Sequence, residues 1–274
     1  MLQINLQGKL YALDQPMVLG ILNITPDSFF DGGNYTQETA ILKRAEQILE
    51  EGGHIIDIGG YSSRPQATDI TVEEELRRVI PAIENIKKRF PQALISIDTF
   101  RAEVARQAIS AGACLVNDIS GGMIDTQLWQ TVAQASVPYI LMHMRGNPQN
   151  MTELTTYDDI IKDIYFYFSE KITALRALKQ TDIILDVGFG FAKTTEQSLF
   201  LLKNLEYFHA LSLPLLVGIS RKSMIYKTLQ TTAEKALNGT TVLHTIALIK
   251  KAQFLRVHDV REAVETIKLV ELLN

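Results

Sequence analysis

The stretch 54–60 reads His54-Ile55-Ile56-Asp57-Ile58-Gly59-Gly60, an apolar, β-branched run interrupted by one carboxylate. Runs of the same character recur at 17–25, 94–100, 114–120, 138–143, 182–188, 214–220 and 254–260, as in Ile183-Ile184-Leu185-Asp186. Near-continuous hydrophobicity, rather than alternation, is what a parallel strand covered on both faces requires. Between the runs lie residues at helical spacing, such as Leu76, Val79, Ile80 and Ile83, or Val104, Ala108 and Ile109, and a helix turns such residues onto one face. Thr71-Val72-Glu73-Glu74 and Thr194-Thr195-Glu196-Gln197 supply helix starts, with a hydroxyl that caps and a residue three later that reaches back. Eight βα units predict an α/β fold, a (β/α)8 TIM barrel in a single domain over residues 1–274. An open doubly wound sheet is the alternative, because strand count alone does not prove closure.

Composition agrees with one such domain. The 274 residues match the usual length of an α/β barrel, and 46% hydrophobic residues supply a large core. A net charge of −4 without basic runs carries no electrostatic footprint for nucleic acid. Cys114 is the lone cysteine and lies in the apolar run Ala113-Cys114-Leu115-Val116, which predicts a buried thiol in a reducing compartment. Met1-Leu2-Gln3-Ile4-Asn5 has neither the charged nor the apolar part of a leader, and no apolar stretch is long enough to span a bilayer. A soluble, cytoplasmic protein without a membrane partner is the expectation.

A barrel of this type places its active site at the C-terminal ends of the strands. The eight runs end on Asn23, Asp57, Asp98, Asn117 with Asp118, His143, Asp186, Ser220 with Arg221 and Lys222, and Arg256 with His258. One such residue alone is usually a cap or a turn former. Eight together, set deep in apolar runs where desolvation is costly, predict a ligand that satisfies them. Arg256 and His258 share a face by period-two alternation, and Ser220-Arg221-Lys222-Ser223 opens a helix. The loops after the last two strands are the fold's usual phosphate site, so a phosphate or pyrophosphate is expected there. Lys222 is the better candidate to face it, since neighbouring residues cannot all point inward. Asp98, Asn117 and Asp186 suit a flat heterocycle with adjacent N–H donors, a pterin or a purine. No Gly-x-x-x-x-Gly-Lys pattern is present, and Gly188-Phe189-Gly190-Phe191-Ala192 is a poor dinucleotide fingerprint, which excludes ATP and NAD. The acid and histidine spacing does not build a carboxylate metal cage. Two Gly-, Ser- and aromatic-rich loops, 25–33 and 61–65, read as lids.

These residues resemble the dihydropteroate synthases of folate biosynthesis, a pterin-binding barrel family, along nearly the whole chain. The similar motifs are Leu22-Asn23-Ile24-Thr25-Pro26-Asp27-Ser28-Phe29, Asp57-Ile58-Gly59-Gly60 with Ser63-Arg64-Pro65, Ser96-Ile97-Asp98-Thr99 and Asn117-Asp118-Ile119. They continue with Met142-His143-Met144, Gly146-Asn147-Pro148, Asp186-Val187-Gly188-Phe189-Gly190-Phe191, Ser220-Arg221-Lys222-Ser223 and Arg256-Val257-His258-Asp259-Val260. The resemblance implies that p-aminobenzoate attacks 6-hydroxymethyl-7,8-dihydropterin pyrophosphate, giving 7,8-dihydropteroate and pyrophosphate with Mg²⁺ assistance. It implies Asn23 at Mg²⁺ and pyrophosphate, with Arg256 and His258 completing that subsite. It implies Asp98, Asn117, Asp186 and Lys222 around the pterin, and Ser63, Arg64, Pro65, Phe191 and Ser220 around p-aminobenzoate. Asp57 and Met142 are implied neighbours, and Asp98, Lys222, Arg256 and His258 the residues nearest the chemistry. A sulfonamide target and a homodimer through the outer helices are also implied.

Three positions depart from the family pattern: Tyr61 where Glu is frequent, Ser63 where Thr is common, and Val187 where Pro usually follows the Asp. None removes a reacting group, although Tyr61 bears on loop closure. Two other readings share the pterin acids. One is a barrel that passes a methyl group from a folate to a corrinoid protein, which needs no pyrophosphate site. The other is a non-catalytic pterin-binding paralogue, which could lose Lys222 or Arg256. His244, in Leu243-His244-Thr245, reads as a helix or interface residue rather than a ligand.

Overall fold

The computed structural model describes residues 2–24, 33–62 and 69–273. All eight runs form strands: β3 (Met17–Asn23), β4 (Ile55–Gly59), β5 (Leu94–Asp98), β6 (Leu115–Asp118), β7 (Tyr139–Met142), β8 (Ile183–Asp186), β9 (Leu215–Val217) and β10 (Phe254–Val257). They are parallel and close into a barrel in the order β10-β3-β4-β5-β6-β7-β8-β9, with β10 paired to both β9 and β3. The open sheet is thereby excluded.

Alternation along each strand sorts the side chains into two cores. Leu19, Ile55, Leu94, Leu115, Ile140, Ile184, Leu216 and Phe254 pack together inside the barrel. Their neighbours Val18, Ile56, Ile95, Val116, Leu141, Leu185, Val217 and Leu255 pack outward in the larger cluster with the helices. This double burial is why the runs read as continuous rather than alternating. Each fully buried Leu or Ile contributes roughly 1.5–3 kcal/mol.

One element was not expected from the sequence. An antiparallel hairpin, β1 (Gln3–Leu6) and β2 (Lys9–Ala12), turns through Gln7 and Gly8, both at positive φ (53° and 77°). This is the backbone that a two-residue hairpin loop demands. Ile4 and Leu6 pack into the inner cluster with Met17 and Leu115 and seal the N-terminal end of the barrel. Its strands are largely polar or exposed, Gln3–Leu6 alternating and Lys9–Ala12 facing solvent, so they lack the continuous apolar run that marks the barrel strands. Cys114 joins the same cluster as a buried free thiol, as expected.

The helices are α1 (Gly33–Glu50), α2 (Val72–Arg89), α3 (Ala102–Ala111), α4 (Leu128–Ala135), α5 (Ile160–Ala177), α6 (Thr195–Lys203), α7 (Ser223–Tyr226), α8 (Leu237–Ile249) and α9 (Val260–Glu271). Among the described residues no helix is long and apolar enough to cross a membrane. Both helix-start signals are used: Thr71 Oγ1 accepts from Glu74 N, and Thr194 with Gln197 forms a reciprocal capping box. Replacing Thr194 with Ala is expected to lower stability by about 1 kcal/mol. Urea unfolding at constant m-value is the measurement, and an unchanged midpoint would show the cap to be dispensable.

Candidate active site

The alternation that buries Ile55 and Leu94 inside the barrel also aims Asp57, Ser96 and Asp98 into it, one layer nearer the C-terminal mouth. Strand register sets Asp57 beside Ser96, Asp98 beside Asn117, and Met142 beside Asp186. Arg256 reaches across from β10: its Nε donates to Asp57 Oδ2 and its Nη2 to Asp98 Oδ2, both at 2.6 Å. Asn117 Nδ2 donates to the same Asp57 oxygen at 3.2 Å. Asp57 Oδ1 and Ser96 Oγ are buried without a protein partner. Gly59 lies at the rim, where a Cβ would be in ordinary contact with Asn23 Oδ1 at 3.4 Å and Asp98 Oδ2 at 3.6 Å.

Low dielectric dominates the electrostatics here. Burial raises the Asp98 carboxyl to about 7, against the pull of Arg256. Burial raises Asp186 as well, opposed by Lys222. Lys222 is lowered to about 8 by burial, with Asp186 working the other way. Burial also tends to lower the Arg256 guanidinium, but Asp57 and Asp98 outweigh it and keep the group protonated.

These contacts correct one expectation. The sequence suggested a cationic half after the last two strands and a separate acid-amide half. In the structure Arg256 lies within the acid cluster, because its long side chain crosses the barrel to Asp57 and Asp98. His258 is also not a cation, since burial first and Arg256 second lower it to about 4. Ser220 Oγ accepts from His258 N at 3.1 Å and lies 3.0 Å from His258 Nδ1. The serine hydroxyl can therefore donate to a neutral Nδ1, which leaves the ring proton on Nε2.

Lys222 and Arg221 diverge. Lys222 Nζ donates to Phe189 O at 2.7 Å and lies 4.6 Å from the centre of the Phe191 ring. Arg221, at φ 54°, donates to both Asp259 oxygens at 2.8 and 2.7 Å, and to Ala233 O at 3.0 Å. It ties the loop after β9 to the end of β10 and is not a ligand group. The helix that follows, α7, is a single turn of four residues, so it adds little of the dipole expected of a phosphate site.

Asp118 and His143 likewise leave the candidate set, because alternation turns them outward. Asp118 accepts from Ser120 N, Gly122 N and Tyr139 OH, at 2.7, 2.7 and 2.6 Å. His143 packs edge-on to Tyr167 at 4.8 Å between ring centres. Its neighbour Met142 faces in and joins Phe100, Ile119, Met144, Met151 and Ala192 in an apolar wall, with Tyr61 and Phe191 against it. Tyr61 stands edge-to-face on Phe100 at 5.0 Å, under the Arg101 guanidinium, which is salt-bridged to buried Glu75 at 2.8 Å. Val187 packs outward in the core. His244 is buried on α8, away from these groups' hydrogen bonds. Ser63, Arg64, Pro65 and most of the loop 25–33 lie outside the described residues.

A closed barrel with this mouth can be set beside known proteins. The family model described as pterin binding enzyme matches residues 19–258. The dihydropteroate synthase of Escherichia coli (strain K12) is 42% identical over 267 residues, covering 97% of this chain and 94% of that one. The chain belongs to the dihydropteroate synthase family. The dihydropteroate synthase of Yersinia pestis, solved with a sulfonamide drug complex, superposes with a TM-score of 0.92 at 39% identity, covering 99% of each chain. That of Xanthomonas albilineans, solved with 4-aminobenzoic acid, superposes at 0.91 and 37% identity, covering 99% of this chain and 97% of that one.

Within this dihydropteroate synthase fold the structure brings together Asn23, Asp57, Asp98, Asn117, Met142, Asp186, Phe191, Ser220, Lys222, Arg256 and His258 at one mouth. Two further residues went unread in the sequence. Ser96 lies on the inward face between Leu94 and Asp98, a position that period-two counting could have found. Lys193 is buried behind the Phe191 turn, and a lysine closing the apolar run 189–192 was its only signal.

Proposed function

We propose that the protein is a working dihydropteroate synthase, joining 6-hydroxymethyl-7,8-dihydropterin pyrophosphate and p-aminobenzoate into 7,8-dihydropteroate and pyrophosphate. The observation that carries this reading is the Asp57–Arg256–Asp98 cluster at the mouth, with Asn117, Asp186 and Lys222 around it, in a barrel alike over its whole length to synthases solved with arylamine-type ligands. Carboxylates at this depth suit the paired N–H donors of a pterin edge. Phe191 and Met142 offer the apolar surface that a flat arylamine needs, and Ser220 and Lys222 the polar groups beside it.

The leaving pyrophosphate departs with both electrons of the C–O bond and gains negative charge as it goes. Arg256 can help neutralise that charge with N–H groups beyond those given to the two acids, and His258 Nε2–H can donate without prior protonation. Asp98 beside the pterin favours positive charge on the ring as the bond breaks, so the step is dissociative. The α-secondary deuterium isotope effect on the methylene hydrogens should be large and typical of a carbocation, and a value near unity would exclude the step.

Mg²⁺ fits the donor set in a limited way. No group of three or more His, Cys, Asp or Glu residues among the described residues could cage a metal. Asn23 Oδ1 at the Gly59 rim is one hard oxygen of the kind Mg²⁺ takes, with the rest of its shell left to phosphate oxygens and water. When bound there, the ion would supply charge neutralisation for the pyrophosphate.

The deciding assay mixes the protein with the pterin pyrophosphate, p-aminobenzoate and Mg²⁺ and follows pyrophosphate. Release strictly dependent on the arylamine supports the synthase. Pterin binding without release would leave a non-catalytic paralogue, and methyl transfer from a folate to a corrinoid protein would support the other barrel.

The two shifted groups set an expected pH profile. kcat/KM should rise as Asp98 loses its proton near pH 7 and fall as Lys222 loses its own near pH 8. A profile flat from pH 6 to 9 would remove both groups from the rate.

A homodimer is part of the proposal. Val242, Ile246 and Ile249 repeat at helical spacing on α8 and are exposed, and Leu269 on α9 is exposed as well. A second copy covering that face would explain them. Sedimentation equilibrium should return twice the chain mass.

A further inference from the structure

Lys193 is only 7% exposed and faces neither the acid cluster nor the apolar wall. Its Nζ lies 2.9 Å from His143 Nδ1 and donates to Phe191 O at 2.9 Å and to His143 O at 3.3 Å. Burying an amine is costly unless its polar contacts are met, and here they come from two different loops. The loop after β8 is the constrained one. Gly188, Gly190 and Ala192 take φ of 70°, 77° and 50°, and Ala192 does so despite its Cβ. Gly188 has no alternative, since a Cβ there would lie 2.1 Å from His143 O. A backbone of this kind persists only where its surroundings over-determine it. Two lysines bind carbonyls of this one turn, Lys193 at Phe191 O and Lys222 at Phe189 O.

We propose that Lys193 is the positioning residue for the arylamine half of the site: it ties the turn after β8 to the end of β7 and thereby holds the Phe191 ring against Lys222. The proposal rests on the synthase reading, in which Phe191 walls the p-aminobenzoate pocket beside Lys222 of the pterin subsite. Lys193 reaches the arylamine side through Phe191 O, and it touches the pterin side only as a charge felt at Asp186. Asp186, on the pterin side, is held by other bonds: its Oδ1 accepts from Gly188 N at 2.8 Å and its carbonyl from His143 N at 2.9 Å. Loss of Lys193 should therefore be felt by the arylamine and little by the pterin.

The test compares the full-length wild type with Lys193→Met, using steady-state kinetics for both substrates and calorimetry of the pterin pyrophosphate. KM for p-aminobenzoate should rise about tenfold or more, while kcat at saturating arylamine and the pterin Kd stay within about threefold. In a Phe191→Ala background the same substitution should add almost nothing, because both changes act through one ring. Lys193→Gln, which keeps two donors, should restore part of the affinity. A folded Met variant with unmoved KM, an additive double mutant, or collapse of both the Met and Gln variants would each overturn the role. Absence of turnover in the wild type would instead defeat the synthase reading itself.

Discussion

Arg256→Met is expected to lower kcat/KM by about three orders of magnitude or more, the scale of losing a preorganised charge at the reacting centre. The side chain donates to Asp57 and Asp98 at 2.6 Å each, so its removal leaves fully buried Asp57 and partly buried Asp98 facing one another with no cation between them. Breaking a buried pair in this way costs about 3–5 kcal/mol. The loss has a pH sign. Asp98 already titrates near 7 because of its burial, and without Arg256 it must titrate higher. A carboxyl raised in the folded state favours folding below its unfolded pKa and loses that contribution as pH rises through the folded value. Urea unfolding should therefore show the variant much weaker than wild type at pH 8 and closer to it at pH 6. A pH-independent difference would mean that the guanidinium does not govern Asp98.

Asp98→Asn should act in the opposite way on stability. The amide keeps the shape and can still accept from Arg256, but it carries no charge to favour a cationic pterin. kcat and kcat/KM should fall together by about 10²–10³, and the acid limb near pH 7 should disappear. Because burial penalises the Asp98 charge more than Arg256 rewards it, the variant should be at least as stable as wild type at pH 8. A loss confined to KM would make Asp98 a pterin anchor only. Retention of the acid limb would assign that proton to another group.

Much of this molecule can be read without coordinates. The run Ile55-Ile56-Asp57-Ile58 states both its strand and its polar guest, and seven similar runs made a barrel the leading fold. Asn23, Asp98 and Asp186 end their strands and Asp57 and Asn117 lie within two residues of the ends of theirs, so their places at the mouth follow from topology alone. The failures have a common physical form. Arg256 sits on the last strand beside the fold's usual phosphate loops, which groups it with the cations, but a side chain of that length reaches across the barrel to partners whose register the sequence does not state. Arg221 and Lys222 are adjacent, and only the backbone turn at φ 54° decides which faces the site. Whether His258 is charged depends on how deeply it is buried, which no motif encodes.

What the sequence by itself determined is the set of chemical groups and the end of the barrel that holds them, because strand period and βα order are local properties. Tertiary structure alone decided how those groups pair. The closing of β10 onto both β3 and β9 sets Arg256 between Asp57 and Asp98, the β1–β2 hairpin seals the far end, and the loop after β8 buries Lys193 against His143 at the end of β7. Pairing across a closed barrel is long-range, and the charge state of each buried group follows from the partner it meets there.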